Sequence, residues 1–65
     1  MKTYKATVYT LTAAAAAAYG NEGIVMRVVE RDASNVDDFK AVVRDEFTRD
    51  VDDEVDFGPV SEVRR

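Results

Sequence analysis

Carboxylates are the side chains in this sequence that are most able to do chemistry. The chain has 13 aspartate and glutamate residues but no histidine and no cysteine, so the usual general base, the thiol nucleophile and the common nitrogen and sulfur metal ligands are missing. Neither Ser34 nor Ser61 lies in a nucleophile-elbow sequence, and the three glycines do not form a phosphate-binding loop. The composition therefore predicts a protein that is not an enzyme, with no catalytic residue, cofactor or metal ligand.

Four carboxylates alternate with a spacing that calcium-binding loops also use: Asp50, Asp52, Glu54 and Asp56. The sixth position of such a loop requires glycine, but the residue here is Val55, and the twelfth position holds Ser61 instead of an acid. Because both specialised positions differ, the pattern favours a solvated helix end and turn over a calcium site.

An acidic stretch covers the same part of the chain and consists of Asp45, Glu46, Asp50, Asp52, Asp53, Glu54 and Asp56. Carboxylates held on a small rigid surface can attract a basic protein or imitate the phosphates of a duplex. The competing interpretation is an ordinary charged surface, because charge runs usually solvate a face and because Arg44 and Arg49 dilute this field. We take the seven acids as candidate partner-binding residues.

The overall charge argues against direct nucleic-acid binding. The net charge is −4, whereas phosphate contacts need a clustered basic surface. An alternative is a basic and aromatic sheet face, built from Tyr4, Tyr9, Tyr19, Lys2, Lys5, Arg27 and Arg31. The sequence has neither a signal-peptide layout nor an apolar run of roughly 20 residues, so we expect a cytoplasmic protein that does not enter a membrane.

The length of 65 residues allows a single domain, which we place at residues 1–65. A chain of this size buries only about 60% of its unfolded surface, and without cysteine it has no disulfide to reinforce the core. Self-association is a natural substitute, so we expect a homodimer.

Two segments have the alternating pattern of β-strands. Residues 2–11 are rich in Thr, Tyr and Val, and residues 24–31 are rich in β-branched side chains. Between them lie six consecutive alanines, which predict a short helix with Thr12 as its N-cap and Gly20 at its end. Continuation of the first strand into a long hairpin is the alternative, because helices of this length are weak in isolation.

The clearest predicted element is a helix that begins near Ser34, a candidate N-cap. Its apolar stripe recurs at spacings of three and four, opposite a charged face; the stripe contains Val36, Phe39, Val42, Val43 and Phe47. Residues 55–63 then predict a last strand that Gly58 and Pro59 interrupt, which is typical of an edge strand that kinks at a bulge.

These elements predict an α+β fold of the order β-β-α-β, in which one amphipathic helix packs on one face of a small three-stranded, mainly antiparallel sheet. A short alanine-rich helix or loop follows the first strand. The second face of the sheet would be uncovered and more apolar than solvation requires. We expect the oligomer interface there, at Tyr9, Leu11, Val25 and Val29.

Three functional hypotheses follow from these features. The favoured one is a small acidic protein-binding regulator or inhibitor, for example of the type found in mobile elements, that acts on a basic protein surface. The first alternative is a structural subunit that assembles through its sheet. The second alternative is a dimer that binds a small ligand in a cleft beside Tyr9 and Arg27.

Overall fold

A computed structural model describes residues 1–64 and contains one sheet with two α-helices. The elements are β1 (Lys2–Leu11), α1 (Ala13–Tyr19), a 3-10 turn (Gly20–Gly23), β2 (Val25–Ala33), α2 (Val36–Phe47), β3 (Glu54–Phe57) and β4 (Ser61–Val63). The strand order is β2-β1-β3, and β4 also pairs with β1. All of these pairings are antiparallel, so the predicted α+β fold is confirmed.

The last strand of the sheet is broken in two by a bulge. β3 and β4 lie along the same side of β1, where Val8 pairs with Phe57 and Lys5 pairs with Ser61. The β3–β4 segment therefore has one residue more than β1 between these pairs, and Pro59 falls inside the interruption. The N–H of Gly58 still donates to the Thr7 carbonyl at 2.9 Å. The prediction of a kinked edge strand is confirmed.

The core lies between the sheet and α2. Tyr4, Ala6 and Val8 alternate along β1 and are all buried beneath the helix. Phe39 of α2 is fully buried against them, and its ring centroid lies 5.9 Å from that of Tyr4 and 6.3 Å from that of Phe57. Such tilted aromatic pairs add favourable contact energy to the burial of apolar surface.

The faces of β2 are opposite to the prediction. In the register with β1, Ala6 pairs with Val29 and Tyr9 pairs with Met26. Val29 therefore faces α2 and is only 3% exposed, and Val25 lies on the same side of the strand. The prediction that Val25 and Val29 share the uncovered face with Tyr9 was wrong.

The alanine run forms a helix, as the first interpretation expected. The Thr12 hydroxyl accepts a hydrogen bond from the N–H of Ala15 at 3.1 Å, which satisfies one of the free donors of the first turn. Gly20 ends the helix with a φ of +62°, a conformation that residues with a Cβ rarely adopt. No residue of α1 is buried, so contacts at its ends must hold it in place.

The start of α2 differs by one residue from the prediction. Asn35, not Ser34, is the N-cap, and its side chain accepts from the N–H of Asp38 at 2.8 Å. The Asp38 carboxylate in turn accepts from the N–H of Ser34 at 2.9 Å. This reciprocal arrangement resembles a capping box and explains why the cap falls three residues before Asp38.

Candidate protein-binding surface

The seven candidate acids do not form one surface, because two of them are used inside the fold. Glu46 forms a two-pronged ion pair with Arg31, with distances of 2.6 Å from Nη2 to Oε1 and 3.1 Å from Nε to Oε2. The hydrogen bonds to Arg31 lower the pKa of Glu46, and the same contact raises the pKa of Arg31. This carboxylate is therefore directed to β2 and not to a partner.

Asp53 holds the loop before β3 against the start of α1. Its Oδ1 accepts from the N–H of Ala13 at 2.8 Å, and its Oδ2 accepts from the N–H groups of Arg49 and Asp50 at 3.0 and 3.1 Å. The bond from Ala13 is the largest cause of a lowered pKa at Asp53, and the two loop N–H groups lower it further. Asp53 is one of the predicted partner-binding acids, but its hydrogen bonds describe a structural role.

The alternating carboxylates do not converge as calcium ligands would. Asp50 accepts from the backbone N–H of Asp52 at 3.1 Å, which closes the turn locally. Glu54 and Asp56 lie in β3, two residues apart and therefore on one face of the sheet. Among residues 1–64, no group of three or more acids is arranged to hold a metal ion.

Glu54 and Asp56 lie on the uncovered face of the sheet beside apolar side chains of β1. Cross-strand pairing places Asp56 opposite Tyr9 and Glu54 opposite Leu11. On its other side Tyr9 pairs with Met26 of β2. Tyr9 is 39% exposed and Met26 is 66% exposed, so a half-exposed ring lies between an exposed thioether and a carboxylate.

We call this surface the open face. It is formed by alternate residues of three strands, which are Lys5, Thr7, Tyr9, Leu11, Met26, Val28, Glu30, Asp32, Glu54 and Asp56. Its charged side chains are one lysine and four acids. Val28 is 64% exposed, and neither Val28 nor Met26 was among the predicted site residues, although the alternation of β2 had placed the two together.

A wide groove of about 250 Å³ lies on the open face beside Lys5, Thr7 and Val28, and a smaller, shallow cavity lies next to Tyr9. The cavity has a volume of about 80 Å³ and is lined by Tyr9, Thr10, Leu11, Asn21, Ile24, Glu54 and Asp56. Ligand sites usually enclose several hundred cubic ångströms, so the depression suits one inserted side chain better than a cofactor. Tyr9 and Arg27, which the small-ligand hypothesis placed beside one dimer cleft, lie on opposite faces of the sheet, and the Arg27 guanidinium lies 5.0 Å from the Phe47 ring centroid.

The basic and aromatic face considered from the sequence does not form. Tyr4 is buried in the core, and Lys2 lies 3.4 Å from the Glu62 carboxylate. Arg31 is paired with Glu46, as described above. Of that set, only Lys5 and Tyr9 share the open face, where acids outnumber the lysine.

Comparisons with known proteins give no family for the chain. No family model matches it, and no curated protein and no solved structure matches it either. Across residues 1–64, none of the helices has the length and apolar character needed to cross a membrane.

Proposed function

We propose that this chain is a non-catalytic protein-binding regulator or inhibitor that captures its partner on the open face. The observation that carries the proposal is the position of Tyr9, half exposed between Met26 and Asp56 in the middle of the sheet. Aromatic side chains and methionine are enriched where protein interfaces are buried, with polar residues around them. The open face has this arrangement, with Glu54 and Asp56 along one side.

The charge of the open face indicates the chemistry of the partner. One lysine against four acids favours a segment that carries lysine or arginine beside apolar side chains. Complementary charge steers association and fixes the register of the complex, while the apolar contact supplies affinity. The acidic partner-binding surface thus narrows from seven residues to the two that border Tyr9. As parts of the same proposal we retain a cytoplasmic location and a homodimer.

Charge reversal on the open face tests this proposal. Immobilised chain is used to capture proteins from an extract of the source organism, and retained proteins are identified by mass spectrometry. The test variant carries Glu54→Lys and Asp56→Lys. The matched control carries Asp45→Lys and Asp52→Lys, which make the same change in net charge at exposed acids outside the open face. Circular dichroism confirms that both variants are folded.

The proposal expects one protein that the wild type and the control retain and that the open-face variant loses. Equal loss from both variants would show that general acidity is sufficient and would overturn the assignment to the open face. Retention by both variants, or no specifically retained protein at all, would also overturn it. A Tyr9→Ala variant adds a charge-neutral test, because it removes the central ring and leaves both acids in place.

A second candidate function is a structural subunit that assembles through its sheet. The observation that favours it is β2, a nine-residue strand that pairs with β1 on one side and with no described strand on the other. Sedimentation velocity over a concentration series separates the two functions. An assembly subunit forms oligomers larger than a dimer on its own, whereas the proposed inhibitor stops at the homodimer and needs its partner to form a larger complex.

A further inference from the structure

The two edges of the sheet are protected very differently. The β3–β4 edge carries a bulge and Pro59, and both features hinder the addition of another strand. The outer edge of β2 has no proline and no bulge within Val25–Ala33, and its pairing with β1 is continuous over nine residues. An unprotected edge of this length is a site for pairing with another strand.

The hydrogen bonds show which residues of β2 offer their backbone to a partner. Residues of an antiparallel strand bond alternately to the two sides. Thr7 bonds towards the β3–β4 side of the sheet, since its carbonyl accepts from Gly58, so its two neighbours in β1 bond towards β2. In the observed register the intervening residues of β2 then point outward, and these are Met26, Val28 and Glu30.

Arg31 limits the accessible part of the outer β2 edge at one end. Its Nη1 donates to the carbonyl of Glu30 at 2.7 Å, while its other nitrogens bind Glu46. The outward carbonyl of Glu30 is thus already engaged by this side chain. At the other end, the 3-10 turn Gly20–Gly23 lies just before β2 begins at Val25. The accessible edge is centred on Val28.

We propose that a second copy of this chain pairs with the outer edge of β2 in antiparallel orientation, with Val28 on the two-fold axis. Val28 then faces Val28 of the second copy, and Met26 faces Glu30 of the second copy. On the helix side, Arg27 faces Val29 of the second copy. The two sheets become one continuous sheet, and the two open faces join into a single surface. This pairing does not depend on the proposed partner-binding role.

The charged side chains of β2 favour this register over the two neighbouring registers, in which the axis lies at Arg27 or at Val29. An axis at Arg27 places two arginines directly opposite each other. An axis at Val29 places Arg27 opposite Arg31 of the second copy, and it does so twice. Like charges directly opposite each other are destabilising in a sheet. The axis at Val28 brings no two like charges together and pairs two valines that are each 64% exposed, so the strand is complementary to itself in this register.

Two matched lysine substitutions test the register. Val28→Lys places two lysines opposite each other at the axis, whereas Met26→Lys places a lysine opposite Glu30 of the second copy. Both changes replace a similarly exposed apolar side chain on the same face. We expect the dimer dissociation constant, measured by sedimentation, to rise about tenfold or more for Val28→Lys and to change little for Met26→Lys. Equal weakening by both would overturn the register.

Cysteine cross-linking provides a second measurement, because the chain has no cysteine of its own. Residues in a hydrogen-bonded antiparallel pair lie about 5.5 Å apart between Cα atoms, a distance that a disulfide spans. Val28→Cys should therefore give a reducible dimer on mild oxidation. Met26→Cys should not, because those two Cα atoms would lie about 13 Å apart along the paired strands.

The competing arrangements give different results in the same experiment. Cross-linking of Arg27→Cys in preference to Val28→Cys would shift the axis by one residue and overturn the proposal. Cross-linking of Tyr9→Cys would indicate that two open faces stack instead. Wild-type chain that stays monomeric at every concentration would show that β2 does not pair with a second copy. The proposal would then be overturned.

Discussion

Arg31 and Glu46 join β2 to the last turn of α2 through two hydrogen bonds of 2.6 and 3.1 Å. The same guanidinium donates to the Glu30 carbonyl at the edge of the sheet. One side chain therefore fixes the helix end on the sheet and closes one end of the β2 edge. Both partners are about 40% exposed, which limits how strongly the pair stabilises the fold.

Removal of this ion pair should lower the stability of the fold only slightly, and the loss should differ between the two partners. We expect Glu46→Gln to lower the free energy of unfolding by less than about 1 kcal/mol, as is usual for exposed pairs. Arg31→Ala should cost more, because it also removes the bond to Glu30 and the packing of the arginine stem. Urea denaturation followed by circular dichroism measures both. A larger loss for Glu46→Gln than for Arg31→Ala would contradict this account.

Asp53 predicts an acid-sensitive fold. Its folded pKa lies below the ordinary value of 3.8, so its contribution to stability is complete above that value and is lost as the pH falls through the lowered pKa. Asp53→Asn removes the charge and replaces one of the two acceptor oxygens with an NH2 donor, which must face at least one of the three N–H groups. We expect this variant to melt at a lower temperature at neutral pH.

The difference between the wild type and Asp53→Asn should shrink as the pH is lowered towards 3. Thermal melts at several pH values measure this difference. Asp52→Asn is the matched control, because the Asp52 side chain has no hydrogen bond or ion pair among the described residues, and it should leave the melting temperature nearly unchanged. A pH-independent effect of Asp53→Asn would contradict a role for its charge.

Alternation in β1 was sufficient to predict its buried face, but β2 was ambiguous. Tyr4, Ala6 and Val8 form a single apolar row, and the structure buries all three. In β2 both rows mix apolar and charged side chains. The row that packs is fixed by the register with β1, which the alternation of β2 does not specify. Val29 is therefore in the core although two arginines share its row. The snorkelling of Arg27 over Phe47 makes that arrangement possible.

The roles of the acids could not be predicted because their partners are distant in the chain. Glu46 lies 15 residues from Arg31, and Asp53 lies 40 residues from Ala13. In the sequence, both resemble any other member of an acidic stretch. The position of Asp56 beside Tyr9 likewise follows from the pairing of β3 with β1, which neither segment encodes alone.

Gly23 should be intolerant of a side chain because the 3-10 turn lies against α1. A Cβ at this position would come within 2.9 Å of the Ala15 carbonyl oxygen and 3.0 Å of the Ala15 Cβ. We expect Gly23→Ala to destabilise the protein by about 1–3 kcal/mol, as overpacking does. Gly58→Ala is the control, since its Cβ would make ordinary contacts of 3.5 Å or more. Equal stability of the two variants, measured in urea, would show that α1 does not pack as described.

Phe39 should be the side chain on which the fold depends most. It is fully buried and contacts the rings of Tyr4 and Phe57. Truncation of such a residue costs about 3–5 kcal/mol, whereas a domain of this size has a total stability of only about 3–10 kcal/mol. We therefore expect Phe39→Ala to be largely unfolded at 37 °C.

Two further variants separate loss of the core from loss of helix propensity. Phe39→Leu keeps most of the apolar volume and should fold with a loss of about 1–1.5 kcal/mol. Val42→Ala changes a residue of the same helix that is 40% exposed, and it should cost less than Phe39→Leu because alanine favours the helix. Thermal denaturation of the three variants orders these effects. If Val42→Ala proved as damaging as Phe39→Ala, α2 would have to contact the sheet through a different face.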